Sequence, residues 1–72
     1  MLIFNEMLAL RRKELKLTQQ ELSEKTGISM VSLRAYEQGK RLPTSKNLNK
    51  IACALELDYD EAYNVLEKQK NH

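Results

Sequence analysis

Apolar side chains recur along this chain every three or four positions, in five groups separated by polar or turn-forming residues. Phe4, Met7, Leu8 and Leu15 form the first group, and with Asn5 as a cap they predict a helix over about residues 5–15. Thr18 precedes Glu21 by three residues. That spacing lets the hydroxyl and the carboxylate each satisfy the other's free backbone N–H, and with Leu22 facing inward it predicts a helix over about residues 19–25. Gly27 supplies the left-handed backbone favoured at a helix end, Ile28 plugs the turn, and Ser29 caps a helix that starts at Met30. In that helix Leu33 and Tyr36 face a small core shared with Leu22 and Ile28, while Val31, Ser32, Arg34 and Ala35 point elsewhere. Gly39 ends it, and Pro43 prevents its continuation beyond a loop. Thr44 or Ser45 caps a fourth helix in which Leu48, Ile51, Ala52 and Leu55 follow the i, i+3, i+4, i+7 rule. Asp58 and Glu61 repeat the capping-box spacing and open a fifth helix with Ala62, Val65 and Leu66 on one side; the tail KQKNH is expected to fray. No run alternates with period two, so the expectation is an all-α chain of five helices with no sheet.

Two short helices joined by a glycine-containing turn, here over about residues 18–38, make the helix-turn-helix pattern, whose second helix enters the major groove of DNA. The segments LRRKELKLTQQEL, TGIS, LRAYEQGKRLPT and LNKIACALEL, spread over roughly residues 10–57, resemble the phage-repressor and Cro-like (XRE-like) helix-turn-helix family. The cap, the glycine turn, the Glu37-x-Gly39 ending, Pro43 and the helix over 48–55 follow in that family's order. The resemblance implies a compact five-helix lambda-repressor-like DNA-binding domain occupying residues 1–72. It also implies a sequence-specific transcriptional regulator that binds a double-stranded operator as a homodimer, most simply as a repressor. In such a domain Arg12 pairs with Glu37 and ties the first helix to the end of the recognition helix; the alternative is a free surface arginine. The start of the second helix, at Thr18 and Gln19, holds a phosphate, and the Tyr36 hydroxyl touches another from a half-buried ring. Lys40 and Arg41 in the following loop are also placed to reach phosphates. The positions that read bases correspond to Met30, Val31, Ser32 and Ala35, with Arg34 on the flank.

These are unusual readers. Among them only Arg34 can make a bidentate hydrogen bond to a base edge, so Met30, Val31 and Ala35 are expected against thymine methyls and Ser32 against a base or phosphate. Arg34 has three open assignments: a guanine, a phosphate, or an ion pair with Glu24 or Glu37. Leu57, Tyr59, Tyr63 and Leu66, or the apolar leader MLIF at residues 1–4, are candidates for a dimer contact; the open alternative is that the fifth helix completes the monomer core. The apolar reading surface also suits a rival function, a partner-docking or antitoxin-like protein-interaction module on the same scaffold.

Composition sharpens this picture at a few points. Seventy-two residues suffice for one small domain with a core near the lower limit. Net charge is only +2, yet residues 11–41 carry eight basic and four acidic side chains, whereas 42–72 carry four basic and five acidic. The positive half is the helix-turn-helix half, which suits a phosphate backbone. Cys53 is the one cysteine, and its place in the apolar run IACAL suggests a buried reduced thiol. No stretch has the length of a membrane span or the form of a signal peptide, so a cytoplasmic protein is expected. The single histidine is the last residue, no nucleophile has a base nearby, and the acidic residues at 58, 60 and 61 lack the glycine of a calcium loop. No enzyme activity, metal, cofactor or small-molecule ligand is therefore expected.

Overall fold

The computed structural model describes residues 3–70, which form α1 (Phe4–Glu14), α2 (Gln19–Thr26), α3 (Met30–Glu37), α4 (Ser45–Leu55) and α5 (Tyr59–Lys70), with no strand among them. One apolar cluster joins all five: Phe4 and Leu8 from α1, Leu22 from α2, Ile28 from the turn, Leu33 and Tyr36 from α3, Leu48, Ile51 and Leu55 from α4, and Ala62 and Leu66 from α5. α2 packs on both α3 and α4, α1 packs on α3 and α5, and α4 backs onto α5. The helix-turn-helix pair is thereby held from behind by the other three.

Local chemistry sets most of the boundaries. Thr18 and Glu21 form the reciprocal capping box, with the Glu21 N–H donating to Thr18 Oγ1 at 3.0 Å and the Thr18 N–H donating to Glu21 Oε1 at 2.9 Å. Gly27 closes α2 at φ 75°, and Ser29 opens α3 by accepting the Ser32 N–H at 3.2 Å. Thr44, rather than Ser45, caps α4, and Asp58 Oδ1 accepts the Glu61 N–H at 3.0 Å ahead of α5.

Several expectations are corrected. Asn5 is not the cap of α1: the helix begins one residue earlier, because Phe4 is drawn fully into the core and its N–H is taken by Gln69 Oε1 of α5. Asn5 lies inside the helix instead, and its Nδ2 donates to the Glu37 carbonyl at 3.4 Å. That contact with Gln69 also explains why α5 continues through Lys70 where fraying was expected; Asn71 and His72 lie outside the described residues. Cys53 is exposed. Measured from Leu48 at about 100° per residue, Ile51, Ala52 and Leu55 fall within about 60° of one direction, whereas Cys53 falls about 140° away. Leu66 is only 1% exposed and belongs to the monomer core, which removes it from the dimer candidates. Two non-glycine residues, Lys16 at φ 59° and Glu56 at φ 55°, take the left-handed conformation at helix ends.

Candidate nucleic-acid interface

The site is built around Glu37, at the C-terminal end of α3. Arg12 of α1 grips its carboxylate with two parallel bonds, Nε to Oε2 at 2.7 Å and Nη2 to Oε1 at 3.0 Å, and its Nη1 donates to the Leu17 carbonyl at 2.7 Å. Side-chain exposure is 12% for Arg12 and 8% for Glu37, so the pair is largely withdrawn from water. The hydrogen bond to Glu37 raises the Arg12 pKa; burial works against it, and the nearby charge adds to the rise. Gln19, the first residue of α2, donates from Nε2 to Glu37 Oε1 at 3.3 Å. One carboxylate thus fixes three things together: the first helix, the start of α2 and the end of α3. The Arg11 Nε adds a tie to the far side, donating to the Leu55 carbonyl at the end of α4 at 2.9 Å.

With Leu33 and Tyr36 buried, the opposite side of α3 faces solvent. Val31 is 71% exposed and Arg34 is exposed, while Met30, Ser32 and Ala35 are half-buried along the same side. Arg34 forms no ion pair with Glu24 or Glu37 among the described residues. The chain after α3 folds back on the helix, with the Lys40 and Arg41 N–H groups both directed to the Ala35 carbonyl, at 2.9 and 3.4 Å. Lys40 and Arg41 are both exposed. The Arg41 Nη2 donates to Ser32 Oγ at 2.7 Å, and its guanidinium lies over the Tyr36 ring, 5.7 Å from the centroid. Tyr36 is more deeply buried than the half-buried position expected, at 4% exposure, and its hydroxyl accepts a bond from Asn47 Nδ2 of α4 at 3.0 Å. The structure therefore brings Gln19 against Glu37, Arg41 against Ser32 and the Lys40–Arg41 turn against Ala35, and it leaves Thr18, Val31, Arg34, Lys40 and Arg41 exposed.

The remaining sequence candidates lie elsewhere. Leu57 and Tyr59 pack half-buried against the core; Tyr63 is 38% exposed, its ring stacked on Tyr59 with centroids 6.0 Å apart. In the apolar leader Ile3 is 44% exposed and Phe4 is buried, while Met1 and Leu2 lie outside the described residues. Sequence reasoning missed the Arg41–Ser32, Asn47–Tyr36 and Gln19–Glu37 contacts. Each joins residues 9 to 18 positions apart, and no local spacing rule announces such a contact. Among the described residues no group of three His, Cys, Asp or Glu side chains is placed to hold a metal ion, and no helix is long and apolar enough to cross a membrane.

A helix-turn-helix family profile matches residues 8–61, spanning α2, the turn and α3 together with most of the elements that support them. The chain belongs to the helix-turn-helix family. Within this family it is 48% identical over 56 residues to the cryptic phage CTXphi transcriptional repressor RstR of Vibrio cholerae, a match covering 78% of this chain and 50% of that protein. It is 41% identical over 58 residues to the helix-turn-helix-type transcriptional regulator YqaE of Bacillus subtilis, covering 81% of this chain and again 50% of the relative. The chain thus spans half the length of each of these two proteins. A solved structure, the P22 c2 repressor protein in complex with a synthetic operator, superposes with a TM-score of 0.80 at 29% identity, covering 86% of this chain and 94% of that one. The five-helix fold is accordingly the lambda-repressor-like one.

Proposed function

We propose that this chain is a sequence-specific double-stranded DNA-binding regulator of transcription, acting in the cytoplasm as a dimeric repressor with α3 in the major groove. The observation that carries this reading is the outward face of α3, with Val31 71% exposed and Arg34, Lys40 and Arg41 along its border. The helix can enter a groove only because Leu33 and Tyr36 anchor it from behind. Thr18 and Gln19 lie at the positive end of the α2 dipole, where backbone N–H groups favour a phosphate, and Lys40 supplies a mobile charge for another. Met30, Val31 and Ala35 present methyl and thioether surface to thymine methyls, Arg34 offers a fork to a guanine or a phosphate, and Ser32 contributes a hydroxyl. A second copy, joined through Leu57, Tyr59 and Tyr63 or through the residues of the leader, presents its own α3 about 34 Å away, matching one turn of duplex. The work is recognition, with no catalysis assigned. RstR is a transcriptional repressor by name, and the P22 c2 protein was solved on an operator; both support the reading.

The test is affinity for random-sequence duplex as a function of salt. Phosphate contacts produce a steep linear fall of log affinity with log salt. The exposure of Val31 favours one rival, a protein-docking module, and for that module duplex affinity is negligible or insensitive to salt.

A further inference from the structure

We propose that Arg41, in the loop after α3, is a specificity-determining residue whose guanidinium reads a guanine edge in the major groove beside Ser32. This rests on the DNA reading above and deepens it by naming one base and the loop side chain that selects it.

The Lys40 and Arg41 N–H groups converge on the Ala35 carbonyl, which turns the loop back along α3 rather than away from it. The Arg41 side chain then runs toward the helix N-terminus and reaches Ser32 Oγ at 2.7 Å. Ser32 and Ala35 are three residues apart and so share one row of the helix, separated by about 4.5 Å along its axis. Both are half-buried, on the border of the exposed side of α3. A second contact limits where the fork can sit: the guanidinium lies 5.7 Å from the Tyr36 centroid, over a residue that is 4% exposed and held at its hydroxyl by Asn47.

A phosphate needs only a charge on a flexible stem, and Lys40, the neighbouring cation, has that form. A planar fork seated in advance on a hydroxyl and an aromatic ring is suited to two acceptors at fixed separation, as guanine N7 and O6 are. Ser32 engages one of the five N–H donors of Arg41, leaving the others to bond a base. The location also answers a chemical need. Met30, Val31 and Ala35 have no side-chain hydrogen-bond donor, so α3 by itself offers one fork, Arg34, and the loop supplies the second.

The experiment selects bound duplexes from a randomised library and measures affinity against salt for the full chain, Arg41→Lys, Arg41→Ala and Ser32→Ala, with circular dichroism confirming each fold. Ser32→Ala retains the backbone N–H that Ser29 caps, so α3 keeps its start. The unaltered chain is expected to prefer guanine at a position of each half-site. Arg41→Ala loses discrimination there by about tenfold or more, Arg41→Lys keeps the salt slope with a reduced preference, and Ser32→Ala weakens the preference at that same position. The inference is overturned if Arg41→Ala preserves the preference, or if it weakens every duplex alike and reduces the salt slope by about one, the mark of a phosphate contact. If the unaltered chain binds no duplex at low salt, the DNA reading itself falls and this inference with it.

Discussion

Arg12→Ala isolates the interaction that ties α1 and the start of α2 to the end of α3. The substitution removes two bonds to Glu37, at 2.7 and 3.0 Å, and a third to the Leu17 carbonyl at 2.7 Å. It leaves a carboxylate at 8% exposure with the Gln19 amide, at 3.3 Å, as its remaining side-chain partner. Breaking a largely buried pair from one side costs about 3–5 kcal/mol, because the orphaned charge keeps its desolvation penalty. A domain of this size has a total stability of about 4–11 kcal/mol, so the loss is a large fraction of the whole. Urea denaturation followed by helical circular dichroism should show a midpoint lowered accordingly, with Tm down by about 12 °C or more. The double variant Arg12→Met/Glu37→Leu removes both charges and should recover most of the loss, giving a coupling of about 2 kcal/mol or more against its own singles, Arg12→Met and Glu37→Leu. Since the Arg12 pKa is raised, its contribution is complete below the ordinary arginine range and is lost only as pH rises through the folded value. Stability near neutral pH should therefore be flat with respect to this group. A single-variant cost below about 1 kcal/mol, or strictly additive singles, would instead mark the pair as behaving like an exposed surface pair.

Other predictions concern the ends of helices and the surface. Thr18→Ala should cost about 1 kcal/mol through the lost cap; the Glu21 pKa, lowered first by the Thr18 backbone N–H and then by its hydroxyl, should rise only by the hydroxyl's smaller share, because alanine keeps the backbone N–H. In the unaltered chain the benefit of the Glu21 pairing is present above the ordinary pKa and is lost as pH falls through the lowered one, which an NMR titration would follow; an unchanged titration in the variant would be contrary. Glu56→Gly should raise stability by about 0.5–1 kcal/mol by relieving the left-handed strain at φ 55°, whereas Gly27→Ala, at φ 75° with no atom within 4 Å of the added Cβ, should lower it by about 1 kcal/mol from backbone strain alone. Thermal melts giving the opposite signs would contradict both. Cys53 should react with a thiol reagent in the folded protein, and Cys53→Ser should change stability by no more than about 0.5 kcal/mol; protection until unfolding would contradict its exposed position.

What could be read in advance was whatever depends on near neighbours. The Thr18–Glu21 box, the Gly27 turn, the Ser29 cap and the 48, 51, 52, 55 stripe each obey a rule spanning at most eight residues, and each stands in the structure as expected. Cys53 was misread because a continuous apolar run was taken as facing one way, although helical rotation turns its third residue outward. The start of α1 depends on Gln69, 65 residues away from Phe4 in sequence, and no cap rule reaches that far. The left-handed turn at Glu56 has no glycine or asparagine to announce it. In the candidate site, the face of α3 followed from Leu33 and Tyr36 pointing inward, but the seating of Arg41 on Ser32 arises only once the loop doubles back onto Ala35.

Amide NMR spectra recorded while random-sequence duplex is added at low salt decide whether α3 is the helix that meets DNA. Shifts are expected at Gln19, at Met30, Val31, Ser32 and Arg34, and at Lys40 and Arg41, with Asn49 and Cys53 on the outer side of α4 unmoved. Shifts centred on Asn49 and Cys53, with Val31 and Arg34 unchanged, would contradict that role for α3.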